Sequence, residues 1–215
     1  MEYILHNHRF ALDIVNSNPE LGVLWEEIDF AISAITDERL IAEFTSSSGK
    51  MSLSDAINSL LDKELVSRHW LPQSAIFQGD GYNDKKWRLD FSKRVKNPKD
   101  GLTGIAIEVA FNHGEAIAWN LMKPVLAAEI NQVELETEIG SGVGVYICAA
   151  DDLKKAGGFD GAVGEYEKVL RYLDPMFQKL TVPLIIVGLR APKTFKIQKE
   201  KNWVTGRNSG HVVRI

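Results

Sequence analysis

Apolar and polar residues alternate from Trp87 to Ser92. Trp87, Leu89 and Phe91 fall on one side and Arg88, Asp90 and Ser92 on the other, the period-two pattern of a half-buried strand. Asn97, Pro98, Asp100 and Gly101 then read as a turn, since Pro and Gly punctuate a chain and Asn and Asp tolerate turn geometry. Residues 104–111 form an apolar run of strand length, Asn112, His113 and Gly114 turn the chain, and residues 116–126 carry apolar positions at helical spacing. Upstream, Leu24, Ile28, Ile32 and Ile35 keep one stripe while Glu26, Glu27, Asp37 and Glu38 lie elsewhere, which predicts a single amphipathic helix over 20–44. A polar loop at 45–50 follows, in which Lys50 offers a phosphate contact or merely links. Ser52 or Ser54 is expected to cap a helix running to about Arg68. A short strand at 73–77 and a turn-rich loop at 79–84 come next. After the central helix the pattern gives a buried strand at 143–149, a loop or broken helix at 151–161, a helix at 162–178 and a last strand at 183–189. No repeat, low-complexity segment or domain boundary interrupts this order, so the expectation is one α/β domain over 1–215 with a basic C-terminal tail.

One residue conflicts with this pattern. Glu108 interrupts the apolar run at 104–111, and an unpaired buried charge costs several kcal/mol unless it is neutralised, paired or bound to a metal. Asp90 lies on the preceding strand of the expected hairpin, so the two acids can converge at its open end. Two hard oxygen ligands on rigid strands, completed by water and a phosphate, suit Mg²⁺. The plainer alternative pairs Glu108 with Lys93 or Arg94 across the hairpin. The residues alone leave both open.

Charge distribution changes the picture more than charge total. The net charge is −4, which is unpromising for a nucleic-acid binder. Yet residues 85–104 carry seven bases against two acids, and residues 190–215 carry seven against one. Phosphate contacts need local cations rather than a basic protein overall, although solvated basic tails and turns are common. Cys148 is the single cysteine, which excludes a disulfide and Cys-based zinc binding; within the apolar run at 143–150 it reads as a buried, inert thiol. No apolar run approaches the length that spans a bilayer, and the first ten residues lack the layout of a signal peptide, so no membrane is expected and the cytoplasm is the expected location. The loop at 79–84 lacks the closing Glu of a calcium loop, Gly157 and Gly158 are wrongly placed for a nucleotide-binding glycine loop, and no second acid marks a glycosidase pair.

Three stretches resemble a known family. Leu89-Asp90-Phe91, the run Ile105-Ala106-Ile107-Glu108-Val109-Ala110-Phe111 and Ala118-Trp119-Asn120-Leu121 are similar to the catalytic core of the PD-(D/E)xK nuclease fold, and within it to the BglII/BstYI-like restriction endonucleases. The helix that starts at Asn58 and reaches Trp70, and the strand Pro183 to Gly188, resemble further core elements in the same order. The resemblance implies a restriction-endonuclease-like core, a mixed central β-sheet flanked by helices. It implies Mg²⁺-dependent hydrolysis of phosphodiester bonds in palindromic, GATC-centred double-stranded DNA by a homodimer, with Ca²⁺ or Mn²⁺ as substitute ions. Asp90 and Glu108 would be catalytic and, with the Val109 carbonyl, would ligate the metal. Asn58 would lie close to that site and order water, or else be an exposed helix residue. Asn112 and His113 would contact bases after the catalytic strand. Lys154, Lys155 and Ala156, and the segment holding Arg190, Lys193 and Lys196, are the other DNA-contacting candidates.

One departure stands out. The family has Gln, and the wider fold Lys or Glu, where this chain has Ala110. That side chain shares a strand face with Glu108 and would reach the attacking water. Alanine neither ligates a metal nor orients a nucleophile. Either the protein is a weak or inactive nuclease, or the residue was removed deliberately to trap a complex, and the engineered inactivation is the reading adopted; a natural variant that recruits another residue such as Glu115 or Lys123 is the alternative. Two rival functions remain: a structure-selective repair or recombination nuclease, and a non-catalytic DNA-binding protein with a decayed site. The helix beginning near Glu115 is either a dimer element, through Trp119 and the Met122, Val125 and Leu126 face, or packs on the sheet.

Overall fold

A computed structural model of the chain describes residues 1–97, 101–129, 133–201, 206 and 208–215. In chain order the elements are β1 (Tyr3–His8), α1 (Ala11–Ser17), α2 (Pro19–Ser33), α3 (Asp37–Thr45), α4 (Ser54–Ser67), β2 (Leu71–Ala75), β3 (Arg88–Asn97) and β4 (Gly101–Ala110). They continue with α5 (Ile117–Ala128), β5 (Val143–Ala149), α6 (Asp151–Ala156), α7 (Tyr166–Met176), β6 (Leu184–Leu189), β7 (Phe195–Lys201) and β8 (Asn208–Arg214). Six strands form one mixed sheet in the order β1-β6-β5-β4-β3-β2, in which β4, β5 and β6 run parallel and the outer strands antiparallel. Strand alternation divides the core into two layers. Ile105, Ile107, Val145 and Val187 face the helices α1 to α4, whereas Ala106, Ala110, Tyr146 and Ile186 face α5 and α7. This is the mixed sheet flanked by helices that the family resemblance implies.

Several boundaries differ from expectation. The helix expected over 20–44 breaks into α2 and α3. Thr36 ends the first run because its hydroxyl accepts the Arg39 N–H, with Asp37 and Glu38 in the first turn of α3. Arg39 reaches back to the Ala34 carbonyl that the break exposes. Neither Ser52 nor Ser54 caps α4; Leu53 occupies the N-cap, and the two hydroxyls bond each other at 2.9 Å. The edge strand lies at 71–75 rather than 73–77, because Ile76 and Phe77 leave the edge to be buried in the layer beneath α5. The helix expected from 162 begins at Tyr166, since the backbone at 162–164 bonds the segment after β4 instead. Within 151–161, residues 151–156 form the short helix α6. Of the expected turn at 97–101, Pro98 and Asp100 lie outside the described residues.

The C-terminal segment is a hairpin rather than a tail. β7 and β8 pair over seven positions, with Phe195 and Ile197 buried and Lys196 and Gln198 exposed. That period-two alternation was hidden under the excess of bases. The hairpin is held against the helical layer by the Gly210 N–H, which donates to the Lys50 carbonyl at 2.8 Å. Lys50 itself pairs with Asp55. β1 was not expected at all. It adds antiparallel to β6, with Tyr3 opposite Leu189.

Candidate active site

β3 and β4 run antiparallel with Phe91 opposite Ile107, and one further step in that register sets Asp90 across from Glu108. The ladder ends there. Asp90 Oδ2 accepts the Val109 N–H at 2.7 Å, so a side chain takes up a backbone donor where β3 leaves β4. Asp90 Oδ1 accepts from Gln73 Nε2 at 3.3 Å. Gln73 lies on β2 with φ 48°, a left-handed conformation that costs a residue with a Cβ free energy and clusters at functional sites. Burial pushes the Asp90 carboxyl above the usual range, opposed by the Val109 bond and the Lys123 charge.

Glu108 faces the α5 layer and is 2 % exposed. Lys123, on α5 and 7 % exposed, donates to Glu108 Oε2 at 2.8 Å. Glu108 Oε1 is buried and makes no well-formed hydrogen bond, although the Asp90 backbone N–H lies close enough to favour the ionised carboxyl. The alternative partners do not serve it. Lys93 lies on the opposite face of the sheet, where it donates to both Glu27 oxygens at 2.8 and 2.7 Å and to the Arg68 carbonyl, beside a Trp70 Nε1–Glu27 bond of 2.7 Å. Arg94 is exposed. Burial, and after it the Asp90 charge, push Glu108 up to about 8, against the pull of Lys123.

That shift fixes a pH dependence. The folded chain keeps a proton on Glu108 that the unfolded chain releases above its ordinary value of 4.5. Stability therefore falls as pH rises from there toward about 8, by roughly 1.4 kcal/mol per pH unit for one proton. Urea unfolding of the wild type and of Glu108→Gln at several pH values in this window is expected to show the slope in the former and its loss in the latter.

Asp90 and Val109 border an open cavity of about 340 Å³, with Gln73 on one side and Asn58 and Asp62 of α4 on the other. Asn58, exposed on the helix, is thus brought into the same cavity as Asp90. Asp62, one turn further on, escaped sequence reasoning, although its spacing of four from Asn58 is a readable signal. Gln73 left no such signal, because its backbone angle is set by the fold. Ala110 is 2 % exposed and packs in the layer holding Ile117 and Leu121 of α5.

The parallel strands end on one edge, where ligands of open α/β sheets usually bind. Asn112 and His113 follow β4 there and are exposed, anchored by Gly164 N–H to Asn112 O at 3.0 Å and Gly114 N–H to Ala162 O at 2.9 Å. Lys154, Lys155 and Ala156 follow β5 on α6, and Arg190 follows β6. Lys154 pairs with Glu165 at 2.6 Å, Lys155 with Asp151 at 2.5 Å and Arg190 with Asp152 at 2.7 Å. Lys193 borders one cavity with Arg190. It stands over the α2–α3 junction beside Glu2, its N–H bonded to Asp37, while Lys196 lies on the exposed side of β7. Trp119 of the expected dimer face is engaged internally: its ring meets Trp87 at 5.1 Å and its Nε1 donates to Lys86 O at 3.0 Å. Val125 of that face is buried in the layer against the sheet. Cys148 is fully buried, and burial pushes its thiol far up, as expected of an inert cysteine.

The donor set fits a hard divalent cation. Glu108, which has one buried oxygen unpaired, lies near enough to Asp90 for that charge to raise its pKa, and both are oxygen ligands. Among the described residues no cluster of three or more His, Cys, Asp or Glu gathers. Two carboxylates with a backbone oxygen and waters are a set that Mg²⁺ accepts.

A mixed sheet whose antiparallel hairpin presents facing carboxylates beside parallel strands is the core of the restriction-endonuclease-like fold. The chain belongs to the BglII/BglIII restriction endonuclease family, whose sequence model matches residues 3–189. Among solved structures, restriction endonuclease BglII complexed with a DNA 16-mer superposes with a TM-score of 0.60 at 18 % identity, covering all of both chains. Free BglII gives a TM-score of 0.48 at 13 % identity, again over both whole chains. No curated protein matches. Restriction endonucleases of this kind generally use divalent metal ions.

Proposed function

We propose that the chain is a type II restriction endonuclease that hydrolyses phosphodiester bonds in palindromic, GATC-centred double-stranded DNA, using Mg²⁺ held by Asp90, Glu108 and the Val109 carbonyl. The observation that carries this reading is the pair of carboxylates on facing strands, one of them with a buried oxygen that makes no well-formed hydrogen bond. The chemistry supplied by a divalent ion bound there is neutralisation of phosphate charge and a lowered pKa for a nearby water. Asp90 is pre-oriented for this by the Val109 N–H and Gln73. Asn58 orders water on the cavity side. Asn112 and His113 reach the base edges, and Lys154, Lys155, Ala156 and Arg190 contact the duplex beside them, the three bases exchanging their acidic partners for phosphate or guanine. Lys193 and Lys196 make outer phosphate contacts. The family kinship and the DNA-bound relative support duplex DNA as the partner, and a palindromic site implies a two-fold homodimer acting in the cytoplasm as a single-domain protomer.

Digestion of a plasmid of known sequence in Mg²⁺ tests the reading, with the wild-type chain and an Ala110→Gln variant side by side. Discrete fragments whose ends share one palindrome are expected from at least one of them. Cuts scattered by structure rather than sequence would favour a repair nuclease. Intact plasmid from both proteins overturns the proposal in favour of a decayed, non-catalytic DNA binder, a reading that Ala110 motivates.

A further inference from the structure

We propose that Lys123 is the positioning residue for hydrolysis, delivered from α5 in place of the polar side chain that β4 lacks at position 110; the inference rests on the proposed endonuclease activity. Position 110 itself carries only a methyl group. Ala110 is 2 % exposed and packs in the layer that holds Ile117 and Leu121 of α5. The same helix, a turn and a half beyond Ile117, turns an ammonium group rather than another apolar side chain onto Glu108. Lys123 is 7 % exposed and its Nζ is 2.8 Å from Glu108 Oε2. An ion pair this deep is a poor device for stability, because packed apolar residues of similar volume usually serve as well or better. It is a good device for fixing an orientation.

The two oxygens of Glu108 are treated differently. Oε2 is held by Lys123, and Oε1, although buried, makes no well-formed hydrogen bond. Ionised, as ligation of a cation requires, Glu108 is thereby frozen by Lys123 with one oxygen held and the other left to accept a hydrogen bond from the attacking water. In relatives with a polar residue two positions after the acid, that ordering comes along β4. Here it comes across the layer from α5. The chain is thus a working variant of the site rather than an inactivated one, and Glu115, exposed near the start of the helix, is not the recruited group.

The test compares cleavage of a site-bearing plasmid in Mg²⁺ by the wild type, Lys123→Met, Lys123→Arg and the double variant Lys123→Met/Ala110→Lys, with binding of the same duplex measured in Ca²⁺. The wild type is expected to cleave. Lys123→Met is expected to lose about 100-fold or more in rate with duplex affinity within about 3-fold. Lys123→Arg or the Ala110→Lys swap is expected to recover at least about tenfold of that loss, which a merely structural role would not allow. Melting curves check folding, and where Met is not tolerated Lys123→Gln is judged by the same criteria. A Lys123→Met rate within about 3-fold of wild type overturns the inference. So does an equal loss of binding, or failure of both the Arg and the swap variants to recover any rate. A wild type that is inert while Ala110→Gln cuts removes this inference and leaves the endonuclease reading standing; inertness of both removes the two together.

Discussion

With Asp90 replaced by alanine, plasmid cleavage in Mg²⁺ is expected to fall about a thousand-fold or more while duplex binding persists. Asp90 borders the open cavity from β3, facing Asp62 of α4, and its two oxygens are already aimed by the Val109 N–H and Gln73. On the proposed function, removing it takes away a pre-oriented metal ligand whose interaction is strongest when charge develops on the phosphate. A loss of about 4 kcal/mol of transition-state stabilisation corresponds to three factors of ten in rate. Binding moves the other way, if at all, because one negative charge facing the phosphates has gone. Gel-shift titration beside a timed digest separates the two effects. Cleavage that survives Asp90→Ala would place the reacting phosphate elsewhere on the molecule.

The largest effect expected on stability comes from a residue with no chemistry of its own. A Cβ on Gly142 would lie 2.0 Å from the Gly104 carbonyl oxygen and 2.7 Å from that of Ile139, where the chain entering β5 presses on the start of β4. Gly104 cannot retreat, because its own Cβ position is 2.6 Å from the Lys93 carbonyl on β3. Three backbones meet there without room for a methyl group, and packed interiors relax poorly. Gly142→Ala is expected to cost about 4 kcal/mol or more, or to prevent accumulation of folded protein. Gly81→Ala, whose Cβ meets nothing within 4 Å, is the matching control and is expected to stay within about 0.5 kcal/mol of wild type. Urea midpoints of the two variants, taken side by side, decide the matter. Since the Gly142 crossing fixes β4, it also fixes the strand that carries Glu108.

The strands that carry the candidate site were legible in the sequence because their patterns are strong and local. The apolar run broken by a single acid at 108 needs no tertiary context to stand out, and the alternation at 87–92 marks the strand. The shared side expected for Trp87, Leu89 and Phe91 does not hold: Trp87 and Leu89 join the α5 layer and Phe91 the layer facing α1 to α4. The surroundings of the site were less legible. Lys93 seemed as good a partner for Glu108 as any, because charge and proximity along the chain do not reveal which face of a sheet a side chain occupies. Register decided that: Lys93 faces α2 and Glu27, whereas Glu108 faces α5 and Lys123. The helix break at Thr36 was present in the sequence as a capping residue followed by two acids, but an uninterrupted apolar stripe outweighed it. The β7–β8 hairpin was overlooked because seven bases among 26 residues drew the reading toward a solvated tail.

What the sequence by itself determined was the α/β class, the order of the central hairpin, helix and buried strands, and the two acids on which chemistry would rest. Hydrophobic period and the cost of a lone buried charge are properties that each short segment carries on its own. What only the tertiary structure decided was which groups complete the site: Gln73 through a backbone angle imposed by the sheet edge, Asp62 and Asn58 through the packing of α4 over the cavity, and Lys123 through the crossing of α5 over β4. Those residues lie 15 to 32 positions from the nearer acid. They come together because burying the two faces of one sheet leaves each helix a single place to lie.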